Sequence, residues 1–170
     1  LKFLFVGWLS KEKGLVELIY AFKILENEQV TLDIVGDGDL KDELTILIEK
    51  LNLEGTIKLH GWKNRQELTR FYSRSDIYVT PSHNEVLSNS LIEALSYSLP
   101  IFCSRINAFE NVLGEDAIYF NVNDEKSIAE KIGEYKDNAE KLTQLSSRSI
   151  CLFEEEYNGS ASKRNLLRAF

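Results

Sequence analysis

The chain has 170 residues, 44% hydrophobic and 28% charged, which fits one ordinary globular unit able to bury a core without disulfide or metal staples. Its formal net charge is −7, and its lysines and arginines form no run or stripe, so nucleic acid is excluded as an expected partner. A small anion held by a few cations and backbone amides is still compatible with that charge, and no apolar run approaches the roughly eighteen residues of a membrane span.

Short β-rich runs alternate with helical patterns along most of the chain, as in βαβ units around a parallel sheet. The first strand is expected over 2–6 and ends at Gly7. Leu15, Leu18, Ile19, Phe22 and Leu25 then fall on one apolar helical stripe. A second strand over 30–35 ends in the turn Gly36-Asp37-Gly38-Asp39, where Asp39 suits the N-cap of a helix carrying Leu40, Leu44, Leu47, Ile48 and Leu51. The run 56–60 reads as a third strand closed by Gly61, and Asn64 with Glu67 forms a capping box for a helix bearing Leu68, Phe71 and Tyr72.

Further strands are expected over 76–80, 100–103 and 117–120, with a loop over 81–87 and a helix over 90–97. Two helices follow over 124–157, and 163–170 reads as one more. The predicted class is α/β: a Rossmann-like, doubly wound, six-stranded parallel sheet with helices on both faces, plus C-terminal helices. Ligands of such sheets bind beyond the carboxyl ends of the strands, so the loops 7–14, 36–39, 61–64 and 81–90 should carry the chemistry.

Cys103 and Cys151, both among apolar neighbours, are expected as buried thiols of a reducing, cytoplasmic compartment. No C-x-x-C or Cys/His cluster points to a metal or redox site. The sequon Asn158-Gly159-Ser160 is expected unmodified, because no secretory segment precedes it. The chain contains no methionine and opens at Leu1 inside an apolar run, so a preceding domain is expected to be missing.

The most specific segment runs Pro81-Ser82-His83-Asn84-Glu85-Val86-Leu87-Ser88-Asn89-Ser90-Leu91-Ile92-Glu93. It sets two carboxylates eight positions apart, one in a loop and one at a helix start. A helix start offers unpaired N–H groups and partial positive charge, which suits phosphate, and flanking carboxylates accept hydrogen bonds from hydroxyls. Each position also has a structural alternative. Ser90 and Glu93 could form a capping box, Lys13 could belong to a solvated Lys11-Glu12-Lys13 cluster, and Glu85 and His83 could be surface residues.

The segment resembles the E-x7-E signature of the group 1 (family 4) retaining glycosyltransferases of GT-B fold. Gly7-Trp8-Leu9 with Lys13-Gly14 resembles that family's first glycine-rich loop, Val35-Gly36-Asp37-Gly38 its second-strand turn, and His60-Gly61 its third-strand glycine. Ser98-Leu99-Pro100-Ile101 stands where the family has glycine, any residue, proline and an aliphatic. The resemblance implies that Lys13 contacts a donor diphosphate together with the amides of Leu87, Ser88 and Asn89. It also implies that Glu93 binds the ribose, that Glu85 holds the transferred sugar, that the backbone around Trp62 and Lys63 faces the nucleobase, and that Gly7 and Trp8 belong to the donor site.

Two positions depart from the family pattern. Trp8 occupies the place of a diphosphate-binding arginine, with Lys11 or Arg105 as candidate replacements, and Glu85-Val86-Leu87-Ser88 replaces Glu-Gly-Phe-Gly.

The activity implied is hexose transfer with retention from a nucleotide-diphosphate sugar, UDP-linked in preference to GDP-linked, to a saccharide or lipid-linked acceptor in surface polysaccharide or glycolipid synthesis. No metal or other cofactor is expected, since Asp37-Gly38-Asp39 reads as a turn. The missing N-terminal domain would supply the acceptor site and any membrane contact, leaving this piece inactive alone. The alternatives are a non-catalytic nucleotide- or sugar-binding domain and a nucleotide-sugar 2-epimerase of the same fold. A phospho-acceptor regulator would need a carboxylate after the first strand, and Gly7-Trp8-Leu9 has none.

Overall fold

A computed structural model describes residues 1–26, 28–86 and 88–157. The expected helix over 163–170, the sequon and the proposed phosphate amide of Leu87 lie outside these residues. Six strands, β1 (Lys2–Val6), β2 (Thr31–Val35), β3 (Ile57–Leu59), β4 (Ile77–Thr80), β5 (Ile101–Ser104) and β6 (Ile118–Phe120), form one sheet in the order β3-β2-β1-β4-β5-β6. Every pairing is parallel, with Val6 beside Val35 and Leu4 beside Tyr78. The order reverses between β1 and β4, which makes their carboxyl ends the switch point of a doubly wound sheet.

Alternation along β1 sends Phe3 and Phe5 to one face of the sheet and Leu4 to the other. The first face is covered by α1 (Leu15–Ile24), α2 (Lys41–Lys50) and α6 (Glu125–Tyr135), which bury Leu18, Phe22, Leu44 and Ile132. The second is covered by α3 (Arg65–Tyr72), α4 (Asn89–Ser96), α5 (Asn107–Leu113) and part of α7 (Ala139–Glu156). Phe3 is the hinge of the first core: its ring meets Phe22 and Phe102 edge-on at 5.7 and 5.8 Å, and Phe102 meets Tyr135 at 5.8 Å.

The capping box of α3 forms as the sequence implies, with Glu67 N–H donating to Asn64 Oδ1 (3.0 Å) and Asn64 N–H to Glu67 Oε2 (3.1 Å). Other expectations need correction. Asp39 does not cap α2, whose N-cap is Leu40 in helical conformation; Asp37 instead turns back to accept from Gly38 N–H at 3.0 Å. The 90–97 helix begins one residue earlier, because Ser88 accepts from Leu91 N–H and caps it, so no Ser90–Glu93 box forms. Cys103 is buried, but Cys151 is exposed on α7, where its thiol donates to Glu155 at 3.4 Å. Helix α5 is short enough that its seven residues show no clear period in the sequence.

Truncating Phe102 to alanine removes the ring that joins Phe3 to Tyr135 and should cost about 3–5 kcal/mol of folding free energy. The check is a urea titration in which the midpoint falls while the slope and the far-ultraviolet circular dichroism of the native baseline are retained.

Candidate functional site

The loops at the carboxyl ends of the strands are laced to one another by backbone hydrogen bonds. Gly7 N–H donates to Val35 C=O and Gly36 N–H to Gly61 C=O, each at 3.0 Å, and Leu9 N–H donates to Asp37 C=O at 2.9 Å. Gly36 has φ +147°, and a Cβ there would lie 1.8 Å from the carbonyl oxygen of Gly7, so no larger residue fits the β1–β2 loop crossing.

After Leu9 the chain makes a 3-10 turn, Lys11–Lys13, that ends at Gly14 in the left-handed conformation, φ +65°. A Cβ on Gly14 would stand 2.1 Å from the Pro81 carbonyl oxygen. His83 N–H donates to Glu12 C=O at 2.7 Å, binding the 81–90 loop to the 3-10 turn. Two loops from adjacent strands at the switch point are thereby pressed together, and they bring Lys13 Nζ into an ion pair with Glu85. Both partners are largely enclosed, at 22% and 14% side-chain exposure, so Lys13 is not a member of a solvated cluster.

The start of α4 is held from below by two buried tyrosines. Tyr78 donates to Ser90 Oγ at 2.8 Å, and Ser88 Oγ lies 3.2 Å from Ser90 Oγ. Tyr72 donates to Glu93 Oε2 at 3.0 Å and stacks on Tyr97 with ring centroids 5.2 Å apart. Burial, reinforced for Tyr72 by the neighbouring Tyr78 and Glu93, pushes both phenols well above their ordinary range, so both remain protonated donors.

Gly7, Trp8, Trp62 and Lys63 line one cavity of about 220 Å³, walled also by Val35 and Leu68. Trp8 and Trp62 are 58% and 70% exposed, unusual for side chains of that size. Leu68 is shared with a neighbouring cleft of about 130 Å³ that contains Glu93, Tyr72 and Tyr97. Asn89 is exposed on the first turn of α4, beside the capping Ser88. The expected site residues among the described positions therefore fall into three groups: Lys13 with Glu85, which shares a small cavity with Ser88; Glu93 with its tyrosines; and the tryptophan cavity, which meets the Glu93 cleft at Leu68.

Two candidates for replacing the missing arginine stand apart from this arrangement. Arg105 pairs with Glu110 at 2.8 Å and lies over the Tyr119 ring at 4.6 Å, and Lys11 is exposed beside His83 and Glu17. His83 turns its Nε2 toward Glu17 at 3.5 Å. Sequence reasoning missed Tyr72, Tyr78 and Ser90, because a tyrosine in an apolar strand or helix stripe reads as core. Only the hydroxyl's need for a buried partner marks such a residue as a positioning group. Among the described residues, no group of three or more His, Cys, Asp or Glu side chains is arranged to hold a metal, and no helix is long and apolar enough to cross a membrane.

A lysine paired with a loop carboxylate, a second carboxylate held by a tyrosine hydroxyl and an aromatic cavity are groups that can bind an anion, polyols and a flat ring. Solved structures share the fold. Anabaena Alr3699/HepE in complex with UDP superposes on 99% of this chain with TM-score 0.87 at 18% identity, the chain covering 48% of that structure, so the two share this Rossmann-like fold. The chain belongs to the group 1 glycosyl transferases, whose family model matches residues 1–150.

Among curated relatives, the uncharacterized glycosyltransferase MJ1607 of Methanocaldococcus jannaschii is 32% identical over 65% of this chain and 28% of its own length. The capsular polysaccharide biosynthesis glycosyltransferase CapM of Staphylococcus aureus is 30% identical over 75% of this chain and 34% of its own. The chain thus spans about a third of the length of these relatives.

Gly14→Ala should separate the two loops, since its Cβ overlaps the Pro81 carbonyl. The expected outcome is a thermal midpoint lowered by several degrees together with loss of the nuclear magnetic resonance signature of the Lys13–Glu85 pair, and an unchanged Lys13 environment would contradict the close approach.

Proposed function

We propose that this chain is the donor-binding domain of a retaining glycosyltransferase, and that it takes a nucleotide-diphosphate sugar at the junction of the 7–14 and 81–90 loops. The observation that carries the reading is the pairing of Lys13 with Glu85, three residues before Ser88, the N-cap of α4. On this reading Lys13 and the amides at Ser88 and Asn89 hold the diphosphate, with Leu87 beside them in the chain. Glu93, aimed by Tyr72, accepts from the ribose hydroxyls. The tryptophan cavity takes the base, against Trp62 and the backbone at Lys63, and uracil is preferred to guanine.

The chemistry follows from where charge develops. As the bond from the anomeric carbon to the diphosphate lengthens, the sugar gains oxocarbenium character and the leaving group gains negative charge. Lys13 and the helix start stabilise that charge without a metal in the scheme, acting in a site already partly closed to water. Glu85 leaves its pairing with Lys13 to accept from hydroxyls of the sugar, which orients the anomeric carbon toward the acceptor. The acceptor, a saccharide or lipid-linked sugar of surface polysaccharide or glycolipid synthesis, binds to an N-terminal domain, as do any membrane contacts at the cytoplasmic face. That CapM is a capsular polysaccharide enzyme supports this choice of acceptor class.

Replacement of an arginine by Trp8 favours a second reading, a nucleotide-binding domain without transfer. Release of free sugar from UDP-sugar by the full-length protein separates the two, because a pure binding domain releases none.

Lys13→Ala and Glu93→Ala should each weaken UDP binding by about tenfold or more, the loss expected for one charge-assisted hydrogen bond. Calorimetric titration of UDP into the protein and both variants tests this, and equal affinity in all three rejects the site.

A further inference from the structure

We infer that the face of β2 and β3 beside α3 is a second anion site, a groove for a phosphoryl group separate from the one formed by Lys13 and α4. The groove has a volume of about 350 Å³. Its floor is set by strand register: Asp33 of β2 lies beside Lys58 of β3, and both point to the same face of the sheet. The Asp33 carboxylate is fully committed, one oxygen to Lys2 at 2.9 Å and the other to His60 at 2.6 Å. Lys58 consequently has no carboxylate within ion-pair reach among the described residues, despite its acidic neighbour.

The opposite wall is the last turn of α3. Arg70 lies there and Arg74 four residues on, just past the helix end, and both line the groove exposed. Neither takes part in an ion pair among the described residues, although the chain as a whole has 27 acidic residues to 20 basic ones. Counting Lys2 and Lys63, the groove gathers five cations against the carboxylates of Asp33 and Glu67, a local excess of three positive charges in a protein of net charge −7. Phe71 and His60, edge-to-face with centroids 4.7 Å apart, give it one aromatic wall.

Three uncommitted cations, two of them guanidinium forks, facing one concavity match a phosphate's several acceptor oxygens, and the aromatic wall matches a ring or chain carrying that phosphate. The ligand class is therefore a phosphate ester, either a soluble phosphorylated metabolite or a phospholipid headgroup. Lys63 touches both this groove and the tryptophan cavity, so the two sites share a wall while their binding groups are distinct.

The test titrates inorganic phosphate into the protein while the side-chain resonances of Arg70, Arg74 and Lys58 are followed. The expected result is saturable shifts at all three. Arg70→Gln with Arg74→Gln should lower that affinity at least tenfold, and Lys58→Gln, on the facing wall, provides an independent variant. Lys13→Ala should leave these shifts in place, and the double variant should keep its affinity for UDP, so that failure of this site and failure of the donor site are read separately. Shifts that rise linearly without saturating, or that survive in both groove variants, overturn the proposal.

Flotation with phosphatidylcholine vesicles, with and without phosphatidylglycerol, then assigns the source. Capture by the anionic vesicles that is lost in the double variant upholds the site with a headgroup as ligand, and saturable phosphate binding without capture upholds it with a soluble ester.

Discussion

The close approach of two loops at the switch point governs the rest of this molecule. A parallel doubly wound sheet leaves a crevice where neighbouring strands send their connections to opposite faces, and here those connections meet at Gly14 and Pro81 with no room for a single additional carbon. Because the backbone is fixed there by contact and by the His83–Glu12 hydrogen bond, a lysine from one loop and a carboxylate from the other meet without long side chains having to be ordered from free solution. The entropy of assembling the pair is thus met when the sheet folds, which is how a site carried on loops can be as well defined as one carried on strands.

Charge is partitioned with the same economy. Three carboxylates at the carboxyl edge are tied to specific donors: Glu85 to Lys13, Glu93 to Tyr72 and Asp37 to Gly38 and Lys41. Asp33 shows the principle inside the sheet. Burial alone would raise its pKa, but the hydrogen bonds from Lys2 and His60 outweigh burial and hold the carboxyl below its usual range. A group shifted in that direction supports the fold at every pH above its unfolded value, and that support fades as the pH falls through the folded value. The negative net charge therefore coexists with local positive surfaces, because the acids near those surfaces are already committed.

The fold was legible because strands and helices alternate with distinct periods and the first four strands end at a glycine- or proline-bearing turn. The glycines at 7, 36 and 61 and the spacing of Glu85 and Glu93 were readable for the same reason: they are local features at fixed offsets. Seven-residue α5 was not legible, since two turns show too little periodicity, nor was the exposure of Cys151, because Ile150 and Leu152 do not both face the sheet. The cap of α4 shifted from the expected position because Ser88 and Ser90 both have hydroxyls at suitable distances, and only tertiary contact with Tyr78 decides which one bonds to the helix and which to the phenol. The tyrosine supports of the site were hidden altogether, as a hydroxyl's partner 12 or 21 positions away leaves no pattern in the sequence.

That hidden support bears on the two departures from the family pattern. Val86 is 93% exposed, so the stiff side chain that stands in the place of the family's glycine is in solvent and not packed into the core. Trp8 is a different matter, because its place in the apolar wall of the cavity with Trp62 substitutes surface for charge. If the proposed donor binds there, affinity lost at the diphosphate for want of an arginine is offset by ring contact at the other end of the nucleotide, while the transition state, in which only the diphosphate changes charge, gains nothing from that contact. On the proposed reading, ground-state affinity for the donor is kept while the rate leans more heavily on Lys13 and the start of α4.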